Sequence, residues 1–403
     1  MDSITQIVLG AACGEVVAGK KIGNRAMIWG AIGGTIPDLD VAANFVTDEI
    51  SAMAFHRGIT HSLFFAFIAP VFLAYIVQRF YSSGLYQKKK WKISIVLFWI
   101  ILLLAGGLIP IVQSDSPYLG TATIIYGLVI ALILFIVQRR YWKQPLEEVS
   151  MSFKQWYALF FLSIFTHPIL DSCTTYGTQL FQPFSDYRVA WDNISVADPF
   201  YTLPFLIFLI LASFFTRSNP RRTYFAYAGI LVSMIYMSYT VYHKLKIDKI
   251  FTESLSEKEI SYHRFKVSPT LLNNILWQGI AEGDSSYYMG SFSFYDKEDR
   301  IVNFVEIPKN HEWIYPYIDD KDLKTLIWFS DGYYNIIKTK EGRLQYNDLR
   351  YGTLNEKTAS PEDFVFSFFL DLQDGEMKAS GTDYGRSMNK KDLDDFMTRL
   401  KGI

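Results

Sequence analysis

The fold class that this sequence predicts is an α-helical polytopic membrane bundle followed by a soluble α+β domain. Half of the 403 residues are hydrophobic and only 20% are charged, with 32 Phe and 26 Tyr, which is richer than an ordinary soluble protein. The long apolar runs nearly all precede residue 247, and from 248 the sequence turns charged and mixed. Residues 1–247 therefore read as a transmembrane domain and 248–403 as an extracytoplasmic α+β domain. A net charge of -1 gives no electrostatic case for nucleic acid. Two cysteines, Cys13 and Cys173, exclude a disulfide framework and a cysteine-rich zinc site alike.

The opening Met1-Asp2-Ser3-Ile4-Thr5 lacks the basic region of a cleaved signal peptide, so the first apolar segment is expected in the mature protein. Residues 4–18 and 26–36 are short, glycine-spotted apolar segments. They read as helices packed closely in a bundle, where small residues let backbones approach. Clear spans follow at 63–77, 93–112, 121–137, 156–165, 200–215 and 224–242. Trp91, Trp99, Tyr118, Trp142, Trp156 and Tyr157 fall mostly near segment ends, as interfacial anchors do. The basic loops 20–25, 79–92, 139–143 and 217–222 go to the cytoplasm by the positive-inside rule. One topology satisfies them all, with about eight crossings and both termini outside. The loop 113–117 and the long polar loop 181–199, with Asp186, Arg188, Trp191, Asp192 and Asp198, then lie outside.

Beyond 250, alternating stretches at 285–294, 301–307, 325–329, 333–338 and 364–370 read as antiparallel strands, and 390–400 has helical spacing. His263 and His311 read as ordinary surface residues. The domain contains no P-loop, dinucleotide fingerprint or internal repeat.

Three polar clusters interrupt apolar sequence: Pro37-Asp38-Leu39-Asp40, His56-Arg57-Gly58-Ile59-Thr60-His61-Ser62 and His167-Pro168-Ile169-Leu170-Asp171. Charged and imidazole groups at the mouths of apolar runs are costly unless they bind something. The charge rule puts all three on one face, and they hold half of the chain's six histidines. On one helix His56 and His61 would stand about 140° apart. Gly58 therefore marks a break, with His56 on a lead-in loop and Thr60 capping the helix that carries His61. His167 and Asp171 share a helical face, and Pro168 would kink that helix or sit in its first turn. Histidine with carboxylate suits zinc, manganese or iron, and the number of candidate ligands leaves room for two ions acting on a phosphoryl group. Arg57 matches a phosphate oxygen. Glu15 is placed to orient a ligand or pair with a base, and Asp198 joins these two as a candidate catalytic side chain.

Together with the N-terminal Met1-Asp2-Ser3-Ile4-Thr5 and Gly34-Thr35-Ile36, these clusters resemble the YdjM-like family of membrane-bound metal-dependent hydrolases, some of them LexA-regulated. The resemblance covers roughly residues 1–245. It implies a polytopic inner-membrane protein with a hydrolase centre, distantly related to zinc-dependent phospholipase C and P1-type nucleases. Carried over by position, the metal ligands are Asp38, Asp40, His56, His61, His167 and Asp171. Family members often begin Thr-His where this chain has Thr5-Gln6, which puts one metal position in question. The expected function is hydrolysis of a phosphoester in a lipid or lipid-linked substrate at the extracytoplasmic face, with membrane lipids as partners. The rival readings are a metal or ion transporter and a non-catalytic membrane scaffold.

Overall fold

The computed structural model describes residues 1–94, 96–97, 148–353, 360–382 and 390–402. The spans expected at 93–112 and 121–137, the loop 113–117 and the basic loop 139–143 lie essentially outside the described residues. The described chain falls into two compact units, one of residues 1–70 with 158–403 and one of residues 71–157.

In the first unit, α1 (Ser3–Ile22) and α2 (Asn24–Thr35) form a tight hairpin. Asp2 caps α1 by accepting from the Thr5 N–H. The contact is backbone on backbone: a Cβ at Gly14 would stand 2.0 Å from the Ala26 carbonyl oxygen, and one at Gly30 would stand 2.1 Å from that of Gly10. This is the close approach that the glycine spacing predicts. A 3-10 helix, Pro37–Phe45, follows, then α3 (Glu49–Phe55), a short 3-10 turn Ile59–His61 and α4 (Leu63–Ser82). After the described chain resumes come α5 (Phe153–Ser172), α6 (Pro199–Ser213) and α7 (Pro220–Glu257).

Among the described residues, α4 and α7 are long and apolar enough to cross a membrane. Both turn large apolar side chains outward, including Phe64, Phe72 and Ile76 on α4 and Leu231, Met234 and Ile235 on α7. α6 does the same with Leu203, Ile207 and Ile210, but its 15 residues reach only about 22 Å, short of a hydrocarbon core of about 30 Å. On the inner side, Val8, Ala12, Leu170, Phe205, Leu209 and Ala226 share one core. Within the second unit, Tyr81 stacks on Trp156 at 5.4 Å and the Tyr86 hydroxyl accepts from the Val149 N–H.

The C-terminal half is α+β. Two four-stranded antiparallel meanders comprise β1 (Arg264–Pro269), β2 (Leu276–Glu282), β3 (Ser286–Ser293) and β4 (Val305–Pro308), then β5 (Tyr334–Lys338), β6 (Leu344–Asp348), β7 (Ser367–Gln373) and β8 (Glu376–Gly381). The boundary expected at 247 falls inside α7, which runs on unbroken and buries Ile247, Ile250, Phe251 and Leu255 against the first sheet. The stretch 325–329, expected as a strand, is instead the end of α8 (Lys321–Phe329). Leu323, Leu326 and Phe329 recur at a spacing of three and bury one helical face, and that period prevails over local β-propensity. The tail helix, α9 (Lys390–Leu400), lies where its spacing predicts. His263 is exposed beside Asp284, but His311 is half-buried, bonded to the Tyr334 carbonyl and stacked on the Tyr334 ring.

Candidate metal centre

The site is built from the ends of helices. Asp38 and Asp40 lie on the 3-10 helix that begins at Pro37. Residues two apart on such a helix diverge by about 120°. Asp38 accordingly faces His61 and His167, while Asp40 faces the turn that links α3 to α4.

That turn departs from its sequence reading. His56 is extended after the last residue of α3, and the left-handed residue is Arg57, with φ 60°, rather than Gly58. Such a conformation is costly for a side-chain-bearing residue. Here it is held from both sides: the Arg57 N–H donates to Asp40 Oδ2 at 3.0 Å, and the Arg57 carbonyl accepts from the Gln179 N–H at 3.0 Å. Thr60 does not cap α4. Its hydroxyl donates to Asp40 Oδ2, and Ser62 Oγ accepts from the Phe65 N–H in its place. The His56 and His61 rings stand edge to face with centres 5.8 Å apart.

His167 and Asp171 occupy successive turns at the end of α5, with Pro168 inside the helix. His167 Nδ1 contacts the Gly34 carbonyl at 2.5 Å. His61 Nδ1 lies 3.2 Å from Thr60 Oγ1 and 3.3 Å from Asp40 Oδ2. Partners at Nδ1 fix the tautomer and turn each Nε2 lone pair inward. The two Nε2 atoms are 3.1 Å apart. Asp38 Oδ1 is 3.4 Å from each, and Asp171 Oδ2 is 3.4 Å and 3.5 Å from them. Among the described residues Asp171 Oδ2 is buried without a hydrogen-bond donor, whereas Oδ1 accepts from Gln6 Nε2 and pairs with the Met1 amine.

These four residues form a group of potential metal ligands. Bonds of about 2.0–2.1 Å to zinc place tetrahedral donors about 3.3–3.4 Å apart. Five of the six donor separations, 3.1–3.5 Å, match that edge, and the sixth, between Asp38 and Asp171, is within 4.8 Å, so these donor types at this spacing suit a divalent cation. Burial alone would raise the Asp38 carboxyl, but the His167 and His61 imidazoles outweigh it and hold the group well below the usual carboxylate range. Asp40 is lowered against the same burial by His56 and His61.

The remaining candidates separate. Asp40 and His56 hold each other through Oδ1 and Nδ1 at 2.8 Å, beside the group of four rather than within it. Arg57 is buried, donates from Nη1 to Thr174 Oγ1 at 2.9 Å, and brings Nε to 3.3 Å from Asp171 Oδ2. Glu15 is not brought to the group: it forms a buried ion pair with Arg222, about 13 Å along α1 from Gln6. Asp198 caps α6 by accepting from the Phe200 N–H and takes the Tyr236 hydroxyl on its other oxygen, so both its oxygens serve the fold.

Thr174 and Tyr176 were not legible in the sequence. The Tyr176 ring stands 5.4 Å from that of His56 and 4.7 Å from the Arg57 guanidinium. Their signal would have been position, directly after Asp171 in a polar run that ends an apolar helix.

The sequence matches the YdjM inner membrane protein family over residues 1–112 and 121–247. The chain belongs to that family. It is also 30% identical over 117 residues to the inner membrane protein YbcI of Escherichia coli (strain K12), an alignment that covers 29% of this chain and 64% of that relative. No solved structure matches. The family match spans all the ligand candidates and stops before the sheets, so the cluster of Asp38, His61, His167 and Asp171 lies in the half shared with the family.

Proposed function

We propose that the chain is a membrane-bound metal-dependent hydrolase acting on a phosphoester of a lipid or lipid-linked compound at the extracytoplasmic face of the inner membrane. The observation that carries this reading is the convergence of two imidazole nitrogens and two carboxylate oxygens within 4.8 Å of one another. A divalent metal held by Asp38, His61, His167 and Asp171, with zinc first and manganese or iron as alternatives, would supply Lewis-acid polarisation of a phosphoryl oxygen. Asp40 and His56 are engaged with each other, which favours one ion over two.

The protein's own groups do the rest. With Nδ1 against Asp40, His56 is oriented to take or give a proton at Nε2. Arg57 places positive charge beside Asp171 and the entering anion. The ligands sit where α2 ends, α4 begins and α5 ends, which suits a headgroup at the membrane rim; a carrier would set its site near the bilayer midplane. The positive-inside rule supports a multi-pass topology with the α+β domain outside.

Elemental analysis of purified protein is the first test. Wild type is expected to hold about one ion per chain, and His61→Ala or Asp171→Asn to lose it. Hydrolysis of lipid phosphoesters in mixed micelles should fall in parallel and stop with a chelator. Equal metal content in all three proteins would overturn the reading.

A further inference from the structure

The loop after α5 brings a third cationic side chain into the neighbourhood of Arg57. Arg188 lies with its guanidinium carbon 4.9 Å from the Tyr176 ring centre, 4.8 Å from that of Phe329 and 5.2 Å from that of Trp328. Arg350 approaches the same Phe329 ring at 5.0 Å. Two of the three guanidiniums have carboxylates: Arg57 faces Asp171, and Arg350 is clamped by Asp348. Among the described residues Arg188 has none. Its Nε and Nη2 donate to the Tyr176 and Gly177 carbonyls, and its Nη1 is out of solvent with no acceptor.

A second orphan lies close by. The Tyr351 hydroxyl is buried without a hydrogen-bond partner among the described residues, and Tyr351 is near enough to Arg188 to interact with it electrostatically. Asp192, on the same loop, meets Lys266 through Oδ2 at 3.5 Å, and its Oδ1 is buried with no hydrogen-bond partner among the described residues. Burial, with Arg350 and Arg57 adding to it, pulls the Arg188 guanidinium down to about 10. An unmatched buried charge and an unmatched buried hydroxyl each cost stability, and one oxyanion would satisfy both.

We propose that Arg188 Nη1 and the Tyr351 hydroxyl form an anion-binding site for a phosphate group, separate from the metal ligands and closed by the aromatic side chains of α8. The planar fork of arginine suits a tetrahedral oxyanion, and aromatic walls strengthen the pairing by excluding water. The phosphate belongs either to a lipid headgroup or to a free phosphate ion, and the site reads the same group in both.

Thermal unfolding of the full-length protein tests this, using inorganic phosphate against chloride at matched ionic strength. A parallel arm compares nanodiscs of phosphatidic acid with nanodiscs of phosphatidylcholine. Wild type should be stabilised by phosphate, by phosphatidic acid, or by both. Arg188→Met should weaken the apparent affinity at least about tenfold, and Tyr351→Phe should weaken it by a smaller factor without disturbing the fold. His61→Ala should keep the response, which separates this site from the metal ligands whatever the elemental analysis finds. Should Arg188→Met fail to fold, the Tyr351→Phe shift decides. Stabilisation by neither probe, or an equal response in wild type and both variants, overturns the proposal.

Discussion

Asp40 touches three things at once: the His56 ring, the Arg57 backbone N–H and the Thr60 hydroxyl. One carboxylate thereby sets the strained turn and also supports His61 from behind. Asp40→Asn is expected to weaken metal binding about 10–100-fold, as loss of an outer hydrogen-bond partner of a ligand does, and to lower hydrolysis further. His56→Gln should separate the two effects. Metal content should stay at the wild-type level while turnover drops about 100-fold or more. Metal loss in His56→Gln would return that residue to the ligand set. Each of these residues reads singly as a helix cap, an interfacial anchor or a bundle histidine; it is their joint place at the ends of apolar runs that points to one cluster. The division of labour among them was not legible in the sequence. It depends on the 3-10 geometry after Pro37 and on the positive φ of Arg57, and neither leaves a mark in composition or spacing.

At the scale of elements, the α1–α2 hairpin fixes where Gly34 offers its carbonyl to His167 and where Gln6 meets Asp171. Its spacing is set by backbone contact at Gly14 and Gly30, where no side chain fits. Gly30→Leu should force the helices apart, cost about 1–3 kcal/mol or more, and lower metal content without touching a ligand. Melting curves and elemental analysis of that variant would check it, and an unchanged melting temperature would mean that the helices are not in contact. The close packing of α1 and α2 was readable because the glycines that spot both segments let backbones approach. Likewise His167 and Asp171 share a face because helical periodicity says so. The strand expected at 325–329 failed because five residues cannot distinguish a period of two from one of three when Leu323, just outside the window, is the deciding contact. Strand β2 lacks clear alternation because it is buried on both faces, whereas β1, β6 and β8 do alternate and were missed as short polar stretches.

For the whole molecule, the α+β half is packed against the segments that lead into the site. Ile50 of α3 is buried in one core with Leu323, Leu326 and Tyr346; Gly381 donates to Glu49, and Lys321 reaches Asp48 and Ser51. His56 follows directly on the helix so held. Ile50→Ala should therefore cost about 2–5 kcal/mol and reduce turnover, and a chain lacking residues 258–403 should lose still more. A truncated protein with full activity would remove the sheets from any supporting role. The donor set has one more property. His61 and His167 meet across a sequence separation of 106 residues, so a nascent polypeptide caught part-way into the bilayer owns Asp38 and His61 but not their counterparts. The group of four is thus completed only once synthesis has passed Asp171.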